Sequence, residues 1–436
     1  MLILDPPVVL RHPPDQLLAN LYEAEHQAER RPAGPAYQAA LAVSAALTAA
    51  AIASVIYLLA TRAPLIDWGY PAAAAAFLVG SIQAAPVISV IARIARGWWA
   101  SPINRLCDLL GLAGVASTPL LLILLYRLPQ FYGRESIWFD QVSAPQAPDA
   151  VAFVLLAVAG LGLLALGAAP RSDRWHPTAV NWERLLVAQV ILGSLYTGVL
   201  LYVDLLVISD LGVSLVPGWD SSVMPVYFAF TGFEGGLAMT VLAAAAARRA
   251  GYPVHTDVFT SLAKLLLAFG LLYIWFFWSE FLTYWYGRLP NEKDVLRLFD
   301  FGPYIVPFAV SVICCFFAPL VLLLWNHMRT NVRGVTITAG IVLAGNYVDR
   351  VRLFVPAWSV AGPPAHDLPV PLPALHVPGL TDVLVLLGAP GAALCLMLLV
   401  ARRIGPMAAW ERQRDLLLRL DAPYLETEMP VVAKPN

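Results

Sequence analysis

Long apolar runs alternate along this chain with short polar connections rich in proline. Crossing about 30 Å of hydrocarbon at 1.5 Å per residue takes about 20 residues. Ten runs are long enough: about 37–60, 70–95, 108–127, 150–169, 183–208, 221–247, 258–286, 301–325, 334–358 and 378–401. The ninth is the most polar, with NYVDRVR in its second half. The pattern predicts an all-α polytopic membrane protein with ten transmembrane helices. It divides the chain into an N-terminal segment (1–36), a membrane domain (37–401) and a C-terminal tail (402–436). In the tail, MAAWERQRDLLLRLDAPYLE is expected to form a short amphipathic helix on the membrane surface.

Orientation follows from the distribution of arginine and lysine. Arg96 and Arg105, Arg171 and Arg174, Arg248 and Arg249, and Arg329 and Arg333 follow the even-numbered runs. The other set of connections holds Arg62 and Arg134, with none in 209–220 or 359–377. Only 287–300, with Arg288, Lys293 and Arg297, breaks this asymmetry. Both termini are therefore expected in the cytoplasm, with the protein in the inner (cytoplasmic) membrane. The first residues, MLILDPPVVLRHPPDQ, lack a basic stretch followed by an apolar core, so no cleaved signal peptide is expected.

Composition agrees with the pattern. The 436 residues are 59% hydrophobic and 13% charged, with a mean hydropathy of +0.69. A net charge of −1 argues against a nucleic-acid partner. Cys107, Cys314, Cys315 and Cys395 form no CxxC or Cys/His cluster, and no paired histidines suggest haem. The chain is expected to bind neither metal nor haem.

The candidate chemistry lies in polar residues within apolar runs, because such groups usually face a protein interior and mark ion or proton routes. Asp204 and Glu280 fall near the outer ends of the fifth and seventh runs, and Asp349 and Arg350 in the outer half of the ninth. Glu234 and Gln83 fall near mid-depth, while Lys264 and Asp108 lie toward the inner side. Each has a structural alternative. Asp349 with Arg350 and Arg352 reads equally as an ion pair, Asp204 as an interfacial residue, Lys264 as a snorkelling side chain, and Asp108 as a helix-dipole charge. Glu234 is flanked by Gly232, Gly235 and Gly236, which admit another backbone or a ligand closely. The aromatic run YIWFFWSEFLTYWYG around Glu280 reads as an interfacial belt or as an apolar wall for a quinone ring beside a titratable base.

Three blocks and an early helix pair carry a resemblance. KLLLAFGLLYIWFFWSEFLTYWYGRLPNE, SLVPGWDSSVMPVYFAFTGFEGGLAMT (214–240) and AGIVLAGNYVDRVRLFVPAW (339–358) are joined by WGYP at 68–71 and SPINRL at 101–106. Together they resemble NrfD-like proteins, the membrane subunits of polysulfide reductase and of alternative complex III. The helix count is closer to the ten-helix members. The resemblance implies two four-helix bundles (helices 2–5 and 6–9) flanked by helices 1 and 10. It implies a haem-free subunit that passes electrons between a quinone, menaquinone or ubiquinone, and a peripheral iron–sulfur subunit docked on outer loops 209–220 and 287–300. Further implied partners are c-type cytochrome subunits and a second NrfD-like membrane subunit, within the lipid bilayer.

On that reading Glu280 and Asp204 are the catalytic candidates, and Gln83, Trp278, Tyr284, Trp219 and Asp220 surround the quinone. Glu234, Lys264, Asp349, Arg350 and Asp108 then form a proton path. Departures from the family pattern are Gln83 in place of a histidine, Trp219-Asp220 in place of Trp-His, and Glu280 in place of glutamine. Two other readings stay open: a proton-coupled secondary transporter, or an NrfD-like scaffold without a quinone site.

Overall fold

A computed structural model describes residues 22–23, 25, 34–95, 97–129, 146–172, 175–176, 178–362 and 367–408, with the backbone of 419–424 and 427–432. Among the described residues nine helices are long and apolar enough to cross a membrane. In chain order they are α1 (Pro35–Ala60), α2 (Leu65–Ile94), α3 (Trp99–Arg127), α4 (Ala147–Arg171), α5 (Val180–Leu215), α6 (Met224–Arg249), α7 (Thr256–Gly287), α8 (Ile305–Leu324) and α10 (Leu380–Ile404). Between the last two runs α9, Val332–Ser359, which matches the others in length but carries Arg333, Asp349, Arg350 and Arg352. Its charges set it apart in composition. Asp349, Arg350 and Arg352 are tolerated because they lie in its second half, which is almost wholly buried among other helices, whereas Arg333 is exposed.

Local chemistry sets the helix ends. Pro35 stands in the first turn of α1, where a missing N–H costs nothing. Thr178 and Asn331 accept backbone N–H bonds at the starts of α5 and α9. The carboxylate of Asp382 reaches back to the Gly379 N–H at the start of α10, 2.8 Å away.

The helices form two groups of four. In the first, α2, α3, α4 and α5 pack in sequence and α5 closes on α2; in the second, α6, α7, α8 and α9 do the same. α2 joins the groups by packing on both α6 and α9, and α5 also meets α6. α1 and α10 pair with each other, and α10 lies against α2 and α3. The outer faces carry exposed Ile52, Ile56, Val151, Leu155, Leu195, Val306 and Val321, as a surface in lipid must.

Two turns of wider π geometry interrupt the helices, at Leu78–Ile82 in α2 and Ile313–Phe317 in α8. The first lies where α2 crosses α6. A Cβ on Gly232 would stand 2.0 Å from the Gly80 carbonyl oxygen, and one on Gly235 would stand 2.7 Å from the Ser81 Cβ. The space that the glycines around Glu234 leave open is filled by the backbone of α2.

The last part of the stretch expected as an amphipathic helix is extended instead. Arg419–Tyr424 (β1) pairs antiparallel with Thr427–Val432 (β2), while 409–418 lie outside the described residues. Pro423 biases the residue before it toward extended backbone and cannot continue a helix.

Candidate functional site

The start of α6 and the end of α7 meet at Glu280. Its residue is 8% exposed, although the aromatic run around it faces outward in part. The hydroxyl of Ser221, in the connection before α6, donates to Glu280 Oε2. The same hydroxyl accepts from the Met224 N–H at 3.0 Å and so caps α6. Trp219 and Tyr284 lie beside the carboxylate; Trp219 packs on Phe299 at 4.5 Å, and the Tyr284 hydroxyl donates to the Asp220 carbonyl at 3.0 Å. The Oε1 atom of Glu280 is buried without a hydrogen-bond partner.

Beneath this cluster α9 supplies a network of charge. Arg352 donates to Asp349 Oδ1 from Nε at 3.0 Å and from Nη2 at 2.9 Å, and its Nη1 reaches Asp300 Oδ1 at 2.7 Å. Asp349 Oδ1 also accepts from the Tyr227 hydroxyl at 3.0 Å. The i,i+3 spacing of Asp349 and Arg352 puts both on one helix face. Asp300, in the turn before α8, lies outside the spans. Burial pushes its carboxyl up to about 6 against the opposing pull of Arg352.

Arg350 stands with Nη1 3.9 Å from Asp349 Oδ2. It donates to the Thr231 hydroxyl at 2.8 Å and the Phe228 carbonyl at 3.2 Å, and it lies 4.0 Å over the Phe228 ring. Asp204 and Glu234 are fully buried, and the oxygens of both lack hydrogen-bond partners. Both lie within electrostatic reach of Arg350. Measured at 1.5 Å per residue from the helix ends on this side of the bundle, Glu280 is about 10 Å deep, and Asp349, Asp204 and Glu234 are all about 15 Å deep.

Polar contacts continue inward. Asn346 donates to the Thr231 carbonyl at 2.6 Å and accepts from the Ser81 hydroxyl at the π turn of α2. Gln83 donates to the Ser117 hydroxyl at 2.9 Å, its own carbonyl accepts from Tyr196 at 2.6 Å, and its Oε1 has no partner. Toward the opposite end of the bundle Asp108 accepts from Ser89 at 2.7 Å and pairs with Arg93 at 2.8 Å. Gln189, fully buried with both side-chain polar atoms unpartnered, lies nearby on α5.

Residues 58–361 match the family described as Polysulphide reductase, NrfD. The chain belongs to the NrfD family. No curated protein matches the sequence closely. The match covers both four-helix groups and leaves all but the end of α1, and all of α10, outside it. Membership makes this NrfD chain a membrane subunit of a quinone-linked redox complex. Members of the family associate with quinone and with iron–sulfur subunits.

The NrfD fold gathers some of the expected site residues and separates others. Glu280, Tyr284 and Trp219 meet at one place, and the exposed Asp220 joins them through its carbonyl rather than its carboxylate. Trp278 is 52% exposed and packs on Phe281, on the face of α7 away from Glu280, so it does not line that cluster. Gln83 lies about 27 Å along α2 from its start at Leu65, far from the level of Glu280. Asp204 belongs with Arg350 and Glu234 at mid-depth. Lys264 is exposed on the outside of α7, apart from the buried polar groups. Asp108 is held in an ion pair. Among the described residues no group of three or more His, Cys, Asp and Glu is placed to hold a metal ion.

Sequence reasoning missed Ser221, Asp300, Tyr227, Ser81 and Asn346. The i,i+3 step from Asp349 to Arg352 was a visible signal for a buried face. Nothing local marks the serines or Asp300, because their partners come from other helices.

Proposed function

We propose that this NrfD subunit takes electrons from membrane quinol and passes them to a peripheral iron–sulfur subunit, in an assembly of the alternative complex III type. The observation that carries this reading is Glu280. It is buried near the outer end, steadied at Oε2 by Ser221 and flanked by Trp219 and Tyr284, while Oε1 is without a donor. An orphaned acceptor of that kind fits a hydroxyl donor such as a quinol head group. When bound, quinol supplies two electrons and two protons. Trp219 and Tyr284 hold the apolar side, and Glu280 accepts a proton at Oε1, a general-base role.

Arg352 supplies the positive charge that faces Asp349 and Asp300 beneath Glu280. Protons have a short exit at Ser221 and the exposed Asp220, or an inward route by way of Asp349, Glu234 and Asp204. Arg350 keeps that middle layer electrostatically balanced. Gln83, Tyr196 and Asp108 continue the inward polar line; Lys264 and Trp278 take no part. The connections 209–220 and 287–300 carry Trp219, Asp220 and Phe299 or adjoin them, which makes them the docking surface for the iron–sulfur subunit. A c-type cytochrome and a second NrfD-like membrane subunit complete the assembly. The inner membrane is the compartment that this chemistry requires.

The test is Glu280→Gln in the assembled complex, with quinol-dependent cytochrome reduction followed. A loss of at least about a hundredfold in turnover is expected when a general base is removed. An unchanged rate and unchanged quinol affinity would remove Glu280 from the site. Co-purification of iron–sulfur and cytochrome subunits tests the assembly, and a lone homo-oligomer would favour transport instead.

A further inference from the structure

A separate cavity of about 360 Å³ opens at the outer ends of α1, α2 and α10. Six of its eleven lining residues lie outside the stretch that matches the family. Asp67, His376 and Asp382 line its polar side, with Thr61 and Thr381 at its edge and Tyr57 toward the bilayer. Asp382 is 5% exposed; Oδ2 accepts from the Gly379 N–H, while Oδ1 is buried without a partner. Asp67 lies within electrostatic reach of it. His376 Nε2 stands 4.0 Å from Asp382 Oδ2 and likewise has no hydrogen-bond partner. The ring is held in place because the His376 carbonyl accepts from Tyr70 and its N–H donates to the Tyr304 hydroxyl at 3.3 Å.

The geometry points to a binding site for a primary ammonium group. Two carboxylates repel an anion, and an orphaned carboxylate oxygen calls for a charged N–H donor. The three polar side chains are not arranged as a metal-ligand set. A quaternary ammonium would be recognised by several aromatic faces, whereas Tyr57 is the one aromatic ring besides the imidazole among the lining residues. A primary ammonium brings three donors to Asp382 Oδ1, Asp67 and the threonine hydroxyls. The cavity stands at head-group level with the exposed Tyr57 beside it. It is therefore open to an ethanolamine head group from the bilayer and to a free amine from water.

The full-length chain, kept folded in detergent, is titrated with phosphatidylethanolamine, with phosphatidylcholine of the same acyl chains, and with free ethanolamine. Bound adducts are counted by native mass spectrometry. We expect retention of the ethanolamine lipid about tenfold above the choline lipid, the scale of one charge-assisted bond. That preference should vanish in Asp382→Asn, which keeps an acceptor for Gly379. Asp67→Asn, outside the α10 cap, should weaken it too and serves if the first variant does not fold. Binding of the lipid alone names the head group as the ligand, and binding of ethanolamine at comparable concentration names a free amine. Equal retention of both lipids with no ethanolamine bound, or a preference unchanged in both variants, overturns the proposal.

Discussion

Arg352 on α9 and Asp300, in the turn before α8, meet at 2.7 Å with both side chains almost wholly buried. The same guanidinium serves Asp349, so one cation answers two carboxylates. Removing it leaves buried charge without a partner, which costs about 3–5 kcal/mol. Arg352→Leu should therefore lower the thermal midpoint of the solubilised protein sharply. Arg352→Leu combined with Asp300→Asn and Asp349→Asn should recover much of the loss, because the orphaned charge is gone.

Asp300 should also make stability depend on pH. Its carboxyl is pushed up to about 6, so the folded protein holds that proton more tightly than the unfolded chain does. The favourable contribution is complete below the unfolded value, about 4, and is lost as pH rises through about 6. Thermal midpoints of wild type and Asp300→Asn should diverge between pH 4 and pH 7 in that sense. A carboxyl stretch titrating near pH 6 in infrared difference spectra should be absent from the variant.

The crossing of α2 and α6 is tight enough for a single methyl to matter. Gly232→Ala places a Cβ against the Gly80 carbonyl and should destabilise by about 1–3 kcal/mol or more, the cost of overpacking. Gly198→Ala on α5 meets nothing within 4 Å. It should raise stability by up to about 1 kcal/mol through helix propensity. Opposite signs for the two variants in thermal melts are the expected result.

Position relative to Glu280 should decide what a substitution does to turnover. Trp219→Leu should reduce quinol-dependent turnover, since Trp219 borders Glu280, whereas Trp278→Leu and Lys264→Gln on the outside of α7 should leave it within about twofold, as exposed substitutions usually do. Steady-state rates in the assembled complex check this.

At the end of the bundle opposite Glu280, Arg105 gathers several chain segments. It bonds the carbonyls of Gly167 at 2.8 Å and Ile404 at 3.1 Å, and the carboxylate of Glu25 at 2.7 Å. Arg105→Ala should raise amide hydrogen exchange around 22–25 and 404–408 with little change at Glu280. Exchange measured by mass spectrometry reads both regions at once.

Hydrophobic runs were enough to place nearly every long helix, because lipid requires about 20 apolar residues and each backbone bond is closed within its own helix. The charged α9 was legible too, through the motif that carries Asp349. The grouping of Glu280 with Tyr284 could be read from the i,i+4 spacing along α7.

What the tertiary structure decided was which faces meet. Trp278 and Glu280 are two residues apart, but the 100° turn per residue sends them to opposite sides of α7, and only the packing of α6 shows which side is inward. Ser221, Asp300 and Asn346 gain their roles from partners 59, 52 and 265 residues away. No local periodicity encodes such distances. The depth of each polar group is written in the order of the residues, while its partner depends on how α2, α6 and α9 lie against one another.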